Sequence, residues 1–163
     1  MLKVASYDIV FQEIPGEVTL ALNLSGCPCH CPGCHSPHLW EDTGEPLDGE
    51  LLEGLMARYE GLITCVAFMG GDAEPDAVLR LAEHVRYPAV SRQHSELKTA
   101  WYSGRPATPE TYSGSLDAFD YVKFGPYVEA LGGLKSEHTN QRLYKRVGDG
   151  WEDVTSAFWK KTL

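Results

Sequence analysis

The sequence predicts an α/β domain whose mainly parallel sheet forms an open, partial barrel. Short apolar segments rich in β-forming residues alternate with two segments of helical periodicity, which is the pattern of βα units. Turns of unusual composition follow several predicted strands, as in parallel sheets that carry functional loops at one edge. The 163 residues suffice for one domain, whereas a complete eight-stranded barrel needs about 250. We therefore expect a single domain over residues 1–163.

The predicted elements alternate along the chain. Residues 17–25 alternate between polar and apolar side chains and then become mainly apolar, which predicts a strand. Asp48 is expected to cap a helix that ends near Tyr59. The apolar run 62–69 predicts a buried strand, and Pro75 suits the first turn of a second helix. Later strands are predicted at 97–102, 121–124 and 143–147, the last returning as a hairpin through 148–150. The inward-facing helical side chains should be Leu51, Leu52, Leu55, Met56 and Tyr59, then Val78, Leu79, Leu81, Ala82 and Val85.

The charge of the chain limits its partners. A net charge of −9 disfavours general binding to phosphate backbones or anionic lipid, so we expect neither nucleic acid nor membrane as a partner. No targeting segment is visible, and no apolar run reaches the roughly 18 residues of a membrane span. The expected location is therefore intracellular and cytoplasmic, where disulfides rarely persist.

Residues 26–38, GCPCHCPGCHSPH, concentrate four of the five cysteines in one loop. Their spacing is too tight for unstrained disulfides. Cys27, Cys31 and Cys34 form a C-x3-C-x2-C pattern, and three thiolates can bind three irons of a cubane cluster while the fourth iron stays open. Gly33 favours a tight turn with close backbone approach. An open iron can bind a substrate or cofactor.

A zinc site is the alternative for this loop. Its cysteines and histidines include enough ligands for a four-coordinate site, but zinc sites usually join two separated pairs, and no second pair follows. Cys29 lies inside the C-x3-C interval and is not explained by the pattern. Cys65 lies within an apolar strand and is expected to be a small core residue.

Gly70-Gly71-Asp72 ends a predicted buried strand. Two glycines let the backbone approach a ligand, and the Asp72 carboxylate can accept hydrogen bonds from an ammonium group, with Glu74 as the alternative acceptor. The alternative is that Gly-Gly-Asp is an ordinary turn with no ligand, because these residues are also typical of turns.

Three segments carry a family resemblance. Cys27-x3-Cys31-x2-Cys34 matches the signature of the radical S-adenosylmethionine (SAM) superfamily. More closely, residues 11–40, 68–75 (FMGGDAEP) and 121–146, which include the GGL and TNQR stretches, resemble the activating proteins of anaerobic ribonucleoside-triphosphate reductases. The resemblance implies a partial barrel of the radical SAM type.

The resemblance also implies an activity. Cys27, Cys31 and Cys34 would ligate a 4Fe–4S cluster, and its open iron would bind the amino and carboxylate groups of SAM. One electron, from a donor such as flavodoxin or ferredoxin, would cleave SAM to methionine and a 5′-deoxyadenosyl radical. That radical would remove hydrogen from a glycine of the reductase large subunit. A different radical SAM reaction, on another glycyl-radical enzyme or a small molecule, and a zinc-binding interaction module remain open.

By the same resemblance, SAM contacts several residues. Backbone around Gly33 and Cys34, together with His35, would contact the adenine, and Gly70, Gly71 and Asp72 would hold the amino group. Asp72 departs from the superfamily's Gly-Gly-Glu. Ser103 would reach the ribose or carboxylate, and Lys123 would pair with the carboxylate unless it is an edge lysine facing water. Residues 132–146 would help form the rim near the partner, unless Thr139–Arg142 is a solvated hairpin turn.

Overall fold

The computed structural model describes residues 2–27, 41, 43–86 and 97–159, and that part of the chain folds around one eight-stranded sheet. The strands are β1 (Lys3–Val10), β2 (Thr19–Leu24), β3 (Glu45–Pro46), β4 (Cys65–Met69), β5 (Lys98–Tyr102), β6 (Tyr121–Phe124), β7 (Arg142–Val147) and β8 (Gly150–Asp153). The helices are α1 (Gly49–Arg58), α2 (Pro75–Arg86) and a short 3-10 helix, Thr155–Phe158. The strand order is β3-β1-β2-β4-β5-β6-β7-β8.

The sheet is mixed, so the predicted mainly parallel, partial barrel is wrong. Strands β2, β4, β5 and β6 are parallel to one another, but β1 runs antiparallel to both β2 and β3, and β6-β7 and β7-β8 are antiparallel. Antiparallel pairings therefore outnumber parallel ones. The connection from β5 to β6, residues 103–120, contains turns and no helix, whereas a βα barrel places a helix after each strand.

Both predicted helices form, for the expected reasons. The Asp48 carboxylate accepts a 2.8 Å hydrogen bond from the Leu51 N–H and so caps α1. In α1 the buried residues are Leu52, Leu55 and Met56, and in α2 they are Val78, Leu81, Ala82 and Val85. These faces pack on the sheet. Within the described residues, no helix is both long and apolar enough to cross a bilayer.

The predicted strands are confirmed with shifted ends, and β8 completes the predicted hairpin after β7. Strand β1 was not predicted. It pairs with β2 through Tyr7 opposite Leu22 and contributes Tyr7 and Ile9 to the core, while Ser6 and Asp8 are exposed. This alternation of buried and exposed side chains is typical of a strand with one face on the core and the other toward solvent.

The two faces of the sheet are covered differently. The face toward α1 and α2 carries large side chains, including Leu22, Phe68 and Trp101. The opposite face carries Ala67 and Ala100 together with the larger Tyr121 and Leu143, and Ile14 and Phe158 pack over it. The residues that directly follow the parallel strands are Ser25, Gly70, Ser103 and Gly125, which are polar or lack a side chain, so a site can form at the carboxyl edge of these strands.

Candidate functional site

The carboxyl ends of four parallel strands meet at one edge, called the site edge below. Cys27 follows β2, residues 70–72 follow β4, residues 103–105 follow β5 and Gly125 follows β6. Backbone hydrogen bonds join these turns: Gly70 N–H to Tyr102 O at 2.9 Å, Ser103 N–H to Lys123 O at 2.8 Å, and Gly125 N–H to Arg105 O at 2.8 Å. The turns that the sequence singled out therefore lie side by side.

Cys27 begins the cysteine loop at the site edge. It is a half-buried free thiol that follows Gly26, whose φ of 72° lies in the left-handed region that glycine tolerates. The Gly26 N–H donates to the Glu41 carbonyl at 3.0 Å, and the Ser25 hydroxyl donates to the Thr43 carbonyl at 2.6 Å. The residues on the two sides of the segment that carries the other three cysteines are therefore hydrogen-bonded to each other.

Several predicted site residues lie outside the described residues: Cys31, Gly33, Cys34 and His35, together with Cys29. Among the residues that are described, no cluster of three or more His, Cys, Asp or Glu side chains is arranged to hold a metal ion. Cys27 is the one ligand candidate that the structure places. Thiolates are the usual ligands of iron–sulfur clusters, so the chemistry of the predicted donor set fits such a group.

Gly70 and Gly71 both adopt backbone conformations that favour glycine, and at Gly71 packing also excludes a side chain. Their φ angles are 104° and 84°. A Cβ on Gly71 would lie 2.6 Å from Val78 Cγ2 and 3.0 Å from Leu24 Cδ1, so no side chain fits between α2 and β2. The Gly70 carbonyl accepts a 2.8 Å hydrogen bond from the Trp101 indole N–H. The turn is therefore fixed to β2, α2 and β5.

Asp72 links the turn after β4 to the turn after β5. Its side chain is 3% exposed. Oδ1 accepts a 2.5 Å hydrogen bond from the Ser103 hydroxyl, and Oδ2 accepts one of 2.9 Å from the Gly104 N–H. Arg105 Nε lies 3.3 Å from Oδ1, and Arg105 Nη2 donates to the Asp72 carbonyl at 2.8 Å. Arg105 was not among the predicted site residues, although it follows the predicted Ser-Gly turn directly.

Lys123 is buried at the site edge, so the alternative of an edge lysine facing water is wrong. It is 8% exposed, and its ammonium group donates to the carbonyls of Ser103 at 3.2 Å and Gly125 at 2.8 Å. A buried ammonium group is stable only when such acceptors replace water. Lys123 thus ties the ends of β5 and β6 together and places positive charge within the site edge.

The Thr139–Arg142 segment packs against the turn after β6. Thr139 and Gln141 are 3% and 7% exposed, so a solvated hairpin is wrong for these two residues. Asn140 donates to the Pro126 carbonyl at 3.1 Å, and Thr139 donates to the Gly132 carbonyl at 3.1 Å. A Cβ on Gly125 would lie 3.0 Å from the Gln141 Cα. The segment therefore borders the site edge.

A second polar cluster, centred on the buried Glu17 carboxylate, lies at the opposite edge, where the parallel strands begin. The Glu17 carboxylate accepts hydrogen bonds from Lys98 Nζ at 2.7 Å, the Tyr121 hydroxyl at 2.9 Å and the Thr64 hydroxyl at 2.8 Å. Burial alone would raise the pKa of Glu17, but the hydrogen bonds from Lys98, Thr64 and Tyr121 outweigh it and the pKa is lowered. The hydrogen bond to Glu17 raises the pKa of Lys98. Glu17, Thr64, Lys98 and Tyr121 are called the Glu17 clamp below, because their hydrogen bonds join the starts of β5 and β6 to the segments before β2 and β4.

Cys65 is the small core residue that the sequence predicted. It is 0% exposed, and burial raises the pKa of its thiol far above the usual range. A thiol that stays protonated is a poor metal ligand. Cys65 is therefore excluded from the metal site by its surroundings as well as by its place at the opposite edge.

Comparison with known proteins identifies the family. Residues 15–129 match the family model described as 4Fe-4S single cluster domain, a range that contains the cysteine loop and every predicted site residue. No curated protein and no solved structure gives a significant match. The match supports a 4Fe–4S cluster as the cofactor of this chain. The chain belongs to the family of 4Fe-4S single cluster domains.

Proposed function

We propose that the protein is a radical SAM activating enzyme that cleaves SAM reductively and installs a glycyl radical on an anaerobic ribonucleoside-triphosphate reductase. One observation carries the proposal. In a chain of the 4Fe-4S family, the first cysteine of a C-x3-C-x2-C loop lies at the same sheet edge as the Gly-Gly-Asp turn, the Ser-Gly turn and a buried lysine.

Cys27, Cys31 and Cys34 would hold the cluster, leaving one iron without a protein ligand. The bound, reduced cluster would supply the electron for reductive cleavage of a carbon–sulfur bond of SAM to methionine and a 5′-deoxyadenosyl radical, and that radical would take hydrogen from a reductase glycine. The hydrogen bonds from Ser25 and Gly26 to Thr43 and Glu41 fix the two ends of the loop before any ligand binds. Such preorganisation lowers the cost of ordering the site.

The turns at the site edge would receive SAM. We assign the methionine part to residues 70–72, Ser103 and Lys123, and the adenine to backbone at Gly33 and Cys34 together with His35. The buried Lys123 ammonium group provides positive charge at this edge, which suits a ligand with a carboxylate. Gly71 lies close to Val78 of α2 and Leu24 of β2, which supports the turn against the rest of the domain.

The reductase would dock beside this edge. Residues 132–146 are held on the rim by buried Thr139 and Gln141, and the adjoining loop exposes Val128 and Leu131, which are 36% and 38% exposed. Exposed apolar side chains next to a site are typical of protein-binding surfaces. The electron donor would be a small redox protein such as flavodoxin or ferredoxin.

The proposal is tested by one turnover under anaerobic conditions. Reduced, cluster-loaded protein is mixed with SAM and the reductase, and a glycyl radical on the reductase is sought by electron paramagnetic resonance. Cys27→Ala is the inactive control and Cys65→Ala the matched active one. A radical signal with methionine release supports the proposal. SAM cleavage with a silent reductase would show another substrate, and no SAM cleavage at all would refute the radical SAM assignment.

A further inference from the structure

Arg105 is fixed at the site edge at both its backbone and its side chain. Its N–H donates to Ser103 Oγ at 3.1 Å, and its carbonyl accepts from Gly125 N–H at 2.8 Å. Its guanidinium group contacts Asp72 twice, through Nη2 to the carbonyl at 2.8 Å and through Nε, 3.3 Å from Oδ1. Neither contact uses Nη1. The guanidinium group is thus oriented by the protein before a ligand arrives.

The side chains of Asp72 and Arg105 differ in how much of their surface is exposed to solvent. The Asp72 side chain is 3% exposed, while that of Arg105 is 37% exposed. Both Asp72 oxygens already accept hydrogen bonds, from Ser103 and Gly104. A ligand reaching this place would therefore meet the guanidinium group first, with the aspartate behind it. A guanidinium group held in this way, with the Lys123 ammonium group at the same edge, suits an anionic group.

We propose that Arg105 binds the carboxylate of the amino-acid part of SAM, and that Asp72 is a positioning residue that acts through Arg105. The proposal rests on the proposed function. The edge formed by Nη1 and Nη2 is the planar fork that pairs with a carboxylate through two parallel N–H···O bonds. Lys123 contributes positive charge nearby but already donates to two carbonyls, so Arg105 is the group that discriminates ligands with a carboxylate.

The test measures equilibrium binding of SAM and of decarboxylated SAM, which lacks only the carboxylate, to cluster-loaded protein. Arg105→Gln should weaken SAM binding by about 10- to 100-fold and binding of decarboxylated SAM by less than about 3-fold. Arg105→Lys should recover part of the loss. Arg80→Gln, at an exposed position on α2, is the matched control and should change neither. Equal weakening of both ligands by Arg105→Gln would overturn the proposal.

A double variant tests the positioning role. Asp72→Asn alone should weaken SAM binding by about tenfold, but in the Arg105→Gln background it should add less than about 3-fold, because Asp72 acts through the arginine. Asp72→Asn that weakens decarboxylated SAM as much as SAM, with or without Arg105, would show direct contact between Asp72 and the ammonium group. Iron content and thermal midpoint are measured for every variant. Wild-type protein that holds iron yet binds no SAM would refute the proposed function itself.

Discussion

The Ser103 hydroxyl donates a 2.5 Å hydrogen bond to Asp72 Oδ1, joining two turns 31 residues apart in the sequence. Ser103 is 0% and Asp72 6% exposed as whole residues, so the bond is shielded from water. Buried hydrogen bonds to a charged group are among the stronger ones in proteins. The contact shows that the predicted Gly-Gly-Asp and Ser-Gly turns are two parts of one structure.

Removing the Ser103 hydroxyl should destabilise the protein. Ser103→Ala leaves a buried carboxylate oxygen without one of its donors, which costs roughly 1–3 kcal/mol in the free energy of unfolding. Ser113→Ala, at an exposed position, should change it by less than about 0.5 kcal/mol. Urea denaturation of both variants in the metal-free form checks this. Equal stabilities would show that the Ser103–Asp72 bond contributes nothing.

A methyl group at Gly71 should be tolerated less well than one at Gly16. The two glycines have nearly the same φ, 84° and 83°, but a Cβ on Gly16 meets nothing within 4 Å whereas one on Gly71 meets Val78 at 2.6 Å. Gly16→Ala should therefore cost about 1 kcal/mol for the backbone alone. Gly71→Ala should cost about 1–3 kcal/mol more, from overpacking. Thermal unfolding of the pair separates these contributions, and matching midpoints would contradict the packing described here.

Acid should remove the stabilisation that comes from the Glu17 clamp. Because the pKa of Glu17 is lowered in the folded state, its contribution is present above the unfolded-state pKa of about 4.3 and is lost as the pH falls through the folded-state value. Glu17→Gln should therefore be less stable than wild type by roughly 1–3 kcal/mol near pH 7. The difference should shrink below about pH 4. Unfolding free energies measured at several pH values check the sign; a gap that widens in acid would contradict it.

Lys98 and Tyr121 determine how the stabilisation from the Glu17 clamp changes at alkaline pH. The hydrogen bond to Glu17 raises the pKa of Lys98, and burial together with the Glu17 carboxylate raises that of Tyr121. Both contributions are present below the unfolded-state pKa values, near 10, and are lost as the pH rises through the folded-state values. The clamp should therefore hold between roughly pH 5 and pH 10.

Cysteine substitutions should separate the ligands from the other thiols. Cys27→Ala, Cys31→Ala and Cys34→Ala should each lose the cluster, whereas Cys29→Ala and Cys65→Ala should keep it. Cys65 lies buried at the opposite edge of the sheet, so its variant controls for the loss of any thiol. Iron and sulfide analysis after anaerobic reconstitution measures this. Loss of iron from Cys29→Ala would change the ligand assignment.

Local signals in the sequence were enough for most elements and not for their pairing. Short stretches of sequence were enough to predict the Asp48 cap, the apolar faces of α1 and α2, and the apolar strands β4 and β6. Each of these predictions is confirmed. Whether neighbouring strands run parallel depends on contacts between distant residues, such as Tyr7 opposite Leu22. Strand β1, with its polar outer face, gave only a weak alternating signal, and missing it made the sheet look more parallel than it is.

The site was predictable where backbone geometry dictates the residue. The glycines at 70 and 71 predict a turn with positive φ angles, and the structure confirms both angles and shows that packing also excludes a side chain at 71. Arg105 was missed because a single arginine after a turn reads as a surface residue, and its pairing with Asp72 arises only when β4 and β5 lie side by side. A cation directly after the Ser-Gly turn was the available signal.

The most direct test of the central claim is anaerobic iron, sulfide and zinc analysis of the reconstituted protein, with electron paramagnetic resonance of the reduced form with and without SAM. We predict about four irons per chain and a spectrum that SAM alters, because three cysteine ligands leave one iron open to the ligand. Zinc in place of iron, or a cluster whose spectrum SAM leaves unchanged, would contradict the account.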